Sequence, residues 1–316
     1  MKTIQEHLET PVAGTYDVIV AGGGPAGVGA ALAAARAGVK TLLVEQYGFL
    51  GGMWTAGMVI PIWDWENKGG IMQEIIDRLT ACGNTIYTGP LLGFDIEAMK
   101  VLLDQMMQES GVDILFHSYF SAPVLDGNNL EGVIVENKSG REAYLAHTVI
   151  DCTGDGDVAA RAGAPFKIGR DEDGAMQPMT MMFKLGDMDY VQAMDYFPIP
   201  IEKTELFFHM EHAATASGLE NYEFNFERPY ILSLPASHQG IAEMTHVRSK
   251  SGIDARDLSR AEMEGRKLVQ EAMHFFTSYM PQFRHAYLDQ TAAHIGVRET
   301  RRIMGEYELT IDDLFE

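Results

Sequence analysis

The hydrophobic pattern at the start of the chain predicts a strand, a helix and a second strand in succession. Residues 16–21, Tyr-Asp-Val-Ile-Val-Ala, form a short β-rich run that ends in glycines. Residues 26–37 are almost wholly small and apolar, as a helix packed tightly on a sheet requires, and Gly38 suits a left-handed cap at its end. Residues 39–45 supply a second buried strand. Helical periodicity returns over 71–80 and 96–109, the latter closed by Ser110-Gly111. A short apolar run at 113–116 is followed by alternating runs at 119–125, 130–136 and 141–144. The links Asp126-Gly127-Asn128-Asn129 and Lys138-Ser139-Gly140 have the composition of hairpin turns. This predicts a β-meander inserted before a further buried strand at 148–151.

From about residue 166 the pattern changes. Residues 176–182 are rich in methionine, aromatics become frequent, and strands no longer alternate cleanly with helices. Methionine here reads as core filler, because its flexible thioether adapts to irregular gaps. One long helix is predicted over 259–280, opened by the capping box Ser259-Arg260-Ala261-Glu262 and stopped by Pro281. The expected fold class is α/β: a Rossmann-type domain over 1–165, with a parallel sheet and inserted meander, and a second, α+β, substrate-facing domain over 166–316.

The glycine-rich turn at Gly22-Gly23-Gly24-Pro25-Ala26-Gly27 fits G-x-G-x-x-G and lies between a predicted strand and a predicted helix. In that setting the first glycine permits the sharp turn. The second lets backbone approach a pyrophosphate, and the third lets the helix pack on the strand. The diphosphate would rest on the helix N-terminus, where unpaired N–H groups and the helix dipole favour an anion. Glu45, at the end of the second strand, is placed to accept hydrogen bonds from ribose hydroxyls and to disfavour a 2′-phosphate. A glycine turn without ligand and a merely solvated Glu45 is the bland alternative.

Charge narrows the partners. With 24 basic and 45 acidic side chains the formal charge is −21, which repels nucleic acid and anionic membrane. The first residues lack a secretory signal's order of basic then apolar segments, and no apolar run is long enough to span a bilayer. Cys82 and Cys152 stand far apart and outside any C-x-x-C pattern. A reducing cytoplasm is therefore expected, with both thiols read as small buried side chains.

The segments YDVIVAGGGPAGVGAALAAARAG and VEQ…LGGMWTAG resemble the bacterial FAD-dependent oxidoreductases with a glutathione-reductase-like fold. The meander, Asp151-Cys152-Thr153-Gly154-Asp155-Gly156-Asp157 and GVRETRRIMGEYELT extend the resemblance over almost the whole chain. It implies FAD as cofactor, with Gln46 and Gly51-Gly52-Met53 along the cofactor and Thr153, Gly154 and Asp155 close to it. Paired glycines would let backbone N–H groups reach phosphate or ribityl oxygens. The strand near 121–124 resembles the one whose backbone meets the adenine. Gly154 to Ala159 also fits G-x-G-x-x-A, but two carboxylates beside a phosphate are unfavourable, and no second nucleotide domain is expected.

The resemblance implies flavin-mediated hydride transfer with a small organic substrate. Disulfide reductases of this fold carry a cysteine pair after the glycine loop, where this chain reads Met53-Trp54-Thr55-Ala56. On the substrate side the best cluster is His294, Arg298, Glu299, Arg301 and Arg302, with His294 and Arg298 as candidate catalytic residues. Arg298 and Arg302 would share a face on a helix and share parity on a strand, so they could grip a carboxylate or stabilise charge on a reduced flavin. The competing reading is an ion-pair set with Glu299, Glu306 and Glu308. His209, Glu211 and His212 lack metal-ligand spacing and read as a solvated helix face, so no metal is expected. His238 and His246 are single histidines that could act as general acids or bases.

Relatives of this family continue beyond the point where this chain ends in TIDDLFE, with a return to the Rossmann domain near the flavin. That leaves a fragment, a second chain that completes the flavin site, or a shortened relative. An incomplete or partner-dependent nucleotide-binding subunit and an NAD-dependent dehydrogenase are the alternative functions.

Overall fold

A computed structural model of the chain describes residues 2–66, 69–88, 91–188, 205–218, 230–236, 238–308 and 310–314. In chain order its elements begin with β1 (Val12–Ala21), α1 (Pro25–Arg36), β2 (Thr41–Val44), β3 (Ile62–Trp63), α2 (Gly70–Ala81), β4 (Thr85–Thr88), β5 (Leu91–Phe94) and α3 (Ile96–Ser110). Next come β6 (Asp113–Leu115), β7 (Tyr119–Asp126), β8 (Asn129–Asn137), β9 (Gly140–Asp151), α4 (Asp157–Arg161) and β10 (Phe166–Ile168). The remainder adds β11 (Phe183–Gly186), α5 (Glu205–Ala216), β12 (Tyr230–Ser233), β13 (Gly240–Glu243), α6 (Ala255–Tyr279), β14 (Tyr287–Thr291) and β15 (Arg301–Ile303).

The fold is α/β, in two compact units that are each discontinuous in sequence. The first comprises residues 1–50, 103–167 and 301–316. Its six-stranded sheet has the order β6-β2-β1-β9-β8-β7. The strands from β6 to β9 run parallel, as expected where helical crossovers join them, and β8 and β7 are antiparallel hairpin strands. The ends of β1 and β2 are buried, with Ile19, Ala21, Leu42 and Val44 packed against Val133, Val135 and Val158 in one cluster.

One strand differs from the sequence expectation. The last meander strand and the buried strand after it are a single strand of 12 residues, β9. Leu145, Ala146 and His147 contain no turn former, and β1 offers partners throughout, Tyr16 opposite Ala146 and Ala21 opposite Asp151. The same strand therefore closes the meander and extends the parallel sheet.

The second unit comprises residues 51–102 and 168–300. It holds an antiparallel sheet of order β12-β13-β11-β14 and a smaller one of order β3-β5-β4. Met179, Met181 and Met182 are buried in it. Its long helix α6 buries Ala261, Leu268, Val269, Ala272 and Phe276 at helical spacing. The helix starts one turn before the predicted capping box. Asp254 is the N-cap, its carboxylate accepting from the N–H groups of Arg256 and Asp257. Ser259 instead donates its hydroxyl to the Ala255 carbonyl at 2.7 Å, and Glu262 accepts from the Ile295 N–H at 2.7 Å. Tyr279 is the last helical residue, and Pro281 opens a 3₁₀ turn, as a proline stop requires.

The thiols also depart from expectation in part. Cys152 is half-buried, but Cys82 is exposed just past the end of α2.

Candidate functional site

The glycine-rich turn sits at the C-terminal ends of β1, β2 and β9. Its backbone is tied on both sides: the Gly22 N–H donates to the Val44 carbonyl and the Cys152 N–H to the Ala21 carbonyl, each at 2.8 Å. Gly22 has φ +101°, and a Cβ there would lie 2.3 Å from the Cys152 carbonyl oxygen. A Cβ on Gly27 would lie 1.8 Å from the Gly22 carbonyl oxygen, so only glycine lets α1 begin against the turn. Gly24 is the N-cap without a side-chain cap, and Pro25 occupies the first turn. The N-terminal N–H groups of α1 therefore point outward from a bare backbone surface. The chain leaves β1 toward β2 on one side and reaches β9 on the other. The turn thus stands at the switch point of the parallel sheet, where open α/β sheets bind ligands.

Glu45, directly after β2, is 4% exposed. Its Oε2 accepts from the Gly23 N–H at 2.7 Å and its Oε1 from the Tyr47 N–H at 2.8 Å. Burial raises its pKa above the ordinary value of 4.5, opposed by hydrogen bonds from the N–H groups of Tyr47, Gly23 and Gln46. A carboxylate has about four acceptor positions, so these three donors leave room for a ribose hydroxyl. A Cβ on Gly23 would meet Glu45 Oε2 at 2.9 Å. The turn, the bare helix N-terminus and the carboxylate fit the pyrophosphate and ribose of a dinucleotide.

Beyond β9, Asp151 organises the third side. Its Oδ1 accepts from the Thr153 N–H and hydroxyl, at 3.1 and 2.7 Å, and its Oδ2 accepts from the Ala159 N–H at 2.9 Å. The Thr153 hydroxyl oxygen accepts from the Asp157 N–H at 2.9 Å. Gly154 and Gly156 take φ of +86° and +65°. Arg301 fastens this turn from β15, with Nη1 donating to the Asp155 carbonyl at 3.0 Å and to Asp157 Oδ1 at 2.8 Å. Burial, and secondarily Asp151, push the Cys152 thiol up, away from the reactive thiolate.

Gln46 is exposed beside Glu45. Gly51, Gly52 and Met53 belong to the second unit. Gly51 and Gly52 have φ of +104° and +50°, and Gly52 carbonyl accepts from the Ala56 N–H at 2.7 Å in a tight turn. The Met53 thioether packs close to Gly57 and Gly296.

The segment carrying Arg298 is neither helix nor strand, and a strand starts only at Arg301. Arg298 and Arg302 fall in different units. Arg298 Nη2 donates to the Thr180 hydroxyl at 2.9 Å and pairs with Glu243, a partner from a distant strand rather than a neighbouring glutamate. Glu299 accepts from the Gln177 N–H at 3.2 Å. His294 Nδ1 lies 2.7 Å from the Ile295 carbonyl oxygen, and His238 Nδ1 lies 2.9 Å from that of Met188. Glu211 and His212 lie on α5, and the His209 side chain lies outside the described residues. Among the described residues no group of three or more His, Cys, Asp or Glu is arranged to hold a metal ion.

Sequence reasoning missed the segment that supports Glu45. The Glu45 N–H donates to the Leu115 carbonyl at 2.9 Å, the Ser118 N–H to the Glu45 carbonyl at 3.0 Å, and the His117 N–H to the Tyr47 carbonyl at 3.1 Å. No motif marks residues 115–118. Their role follows from the parallel pairing of β2 with β6, which hydrophobic pattern alone does not specify.

Comparison with known proteins places these features in context. Residues 17–316 match the family model described as FAD dependent oxidoreductase. Thiamine thiazole synthase of Aeropyrum pernix is 30% identical over 137 residues, covering 42% of this chain and 46% of that protein. The chain thus spans about half the length of that curated relative. Among solved structures, the myxobacterial chondrochloren halogenase CndH, a variant of FAD-dependent halogenases, superposes with a TM-score of 0.57 at 14% identity, over 90% of this chain and 64% of that one. A geranylgeranyl bacteriochlorophyll reductase-like protein of Thermoplasma acidophilum gives 0.55 at 15% identity, over 89% and 66%. At such identities these two likenesses concern the fold alone.

Proposed function

Since the chain belongs to the FAD dependent oxidoreductase family, with FAD as its cofactor, we propose that its first unit binds the ADP portion of FAD and that the chain transfers a hydride between flavin and a small organic substrate. The observation that carries this reading is the buried Glu45 carboxylate, held 2.7 Å from the Gly23 N–H beside a turn in which two glycines admit no side chain.

In this reading the Gly22–Gly24 backbone and the first turn of α1 hold the pyrophosphate, with Pro25, Ala26 and Gly27 shaping that turn. Glu45 accepts from the adenosine ribose, with Gln46 beside it. Thr153, Gly154 and Asp155 form the adjoining wall, kept in place by Asp151 and Arg301. Bound flavin supplies the hydride chemistry, and the chain supplies binding, orientation and electrostatics. A dithiol relay is not supported: the Cys152 thiol is pushed up by burial.

Arg298 and His294 are proposed for the substrate side. Arg298 is held at one nitrogen by Thr180 and Glu243, and an arginine fixed in this way could orient an anionic group. The formal charge of −21 supports a small-molecule partner over nucleic acid. A cytoplasmic setting agrees with two unpaired cysteines. Among the described residues no helix is long and apolar enough to cross a membrane.

The test is anaerobic mixing of the FAD-loaded chain with panels of small organic reductants, followed by the flavin absorbance. Bleaching by one chemical class, and its weakening in Arg298→Ala, supports the reading. A loaded chain that neither accepts nor donates a hydride with any class contradicts the catalytic part of it.

A further inference from the structure

The loop that carries Glu45 is held by a contact that neither the glycine motif nor the family match assigns. His117 has φ +51°, in the left-handed region that a non-glycine residue rarely adopts and that costs free energy wherever it persists. In that conformation its imidazole covers the backbone of Gly48. A Cβ on Gly48 would lie 2.8 Å from both Cε1 and Nε2 of the ring. Gly48 itself does not need a left-handed φ, so the close approach of the ring is what favours glycine there.

The contact is continuous with the nucleotide-facing groups. The His117 N–H donates to the Tyr47 carbonyl at 3.1 Å. The Tyr47 N–H in turn donates to Glu45 Oε1, and Glu45 Oε2 accepts from the Gly23 N–H. The rings of Tyr47 and Phe49, the residues that flank Gly48 in sequence, stack on each other with centroids 5.9 Å apart. The hydrogen-bonded links run from the His117 backbone to the carboxylate at the glycine turn, within one unit, and the exposed imidazole adds its contact with Gly48.

We propose that His117 is a positioning residue for nucleotide binding: its imidazole, seated on Gly48, holds the 45–49 loop so that Glu45 faces the adenosine ribose. This rests on the reading that Glu45 binds that ribose. Two substitutions release the contact from opposite sides. His117→Asn removes the imidazole and retains a residue that tolerates a left-handed φ. Gly48→Ala pushes the ring away.

The experiment is titration of the full chain with FAD, by flavin fluorescence, and with ADP, by calorimetry. It compares the native chain, both single variants and the double variant, with thermal unfolding to establish that each is folded. Each single variant is expected to weaken both ligands about fivefold, and the double variant to lie close to the weaker single rather than at their product of about 25-fold, because both remove one contact. Folded single variants that bind as the native chain does would overturn the proposal. So would single effects that multiply in the double variant, or losses for FAD with none for ADP. If the native chain binds neither ligand, the assignment of Glu45 to ribose fails first, and this inference fails with it. Native binding with insensitive variants removes the inference alone.

Discussion

At the residue scale, Gly27 and Glu45 make opposite demands on the glycine-rich turn. Gly27 matters for what it lacks. Replacing it with alanine puts a methyl group where the Gly22 carbonyl oxygen lies, 1.8 Å away, so the turn or the helix must shift. Gly27→Ala is expected to abolish FAD binding and to cost about 1–3 kcal/mol in a urea unfolding titration, the range for forced overpacking. Glu45 matters for its charge and its four-way acceptor capacity. Glu45→Gln turns one acceptor into a donor facing an N–H group, and is expected to weaken FAD at least about tenfold, as loss of a charged hydrogen bond does. The same carboxylate predicts a pH dependence. Its folded pKa is raised, mainly by burial, so its contribution to stability is present below the unfolded value of 4.5 and lost as pH rises through the folded value. The stability difference between the native chain and Glu45→Gln is therefore expected to move against the native chain across that window. Urea midpoints taken at successive pH values, without FAD, measure it. A difference that moves in favour of the native chain would contradict the stated burial of the charge.

At the element scale, the parts most legible in sequence are those with local chemistry. The β1–turn–α1–β2 unit could be read because glycine placement, apolar run length and Glu45 all report on one backbone path. The start of α6 lies about one turn before the position its sequence pattern predicts, for a related reason. Asp254 and Ser259 are both good caps, and choosing between them depends on Glu262, whose carboxylate serves the Ile295 N–H across the second unit rather than the helix start. Long-range partners of this kind leave no spacing in the sequence. Asp254→Ala is accordingly expected to cost about 1 kcal/mol and Ser259→Ala much less, in the same unfolding assay. Arg298 and Arg301 show the same limit. Three residues apart in GVRETRRI, they serve different units, Arg298 pairing with Glu243 and Arg301 with Asp157. Arg301 is mostly buried and fastens β15 to α4, so Arg301→Ala is expected to cost about 2 kcal/mol, between the surface and fully buried limits for ion pairs. A cost near zero would mean that β15 is held by its strand pairing alone.

At the scale of the whole molecule, the parallel sheet and meander of the first unit follow from pattern. The tracing of residues 51–102 into the second unit does not, because no composition change marks residue 51 or residue 103. The family match covers 17–316 and so includes both units. The large negative charge bears on the cofactor as well: FAD is itself an anion, and in the proposed reading a chain at −21 attracts it through local devices, the N-terminus of α1 above all. Binding therefore tests the geometry of the turn against the average field of the protein. The most direct measurement is the absorbance spectrum of the purified chain after incubation with FAD and desalting. The turn, Glu45 and the switch-point position predict retained flavin bands at about one FAD per chain in the native protein and none in Gly27→Ala, as expected where one helix N-terminus binds one pyrophosphate. A folded native chain that emerges colourless and shows no FAD binding in titration would contradict the account.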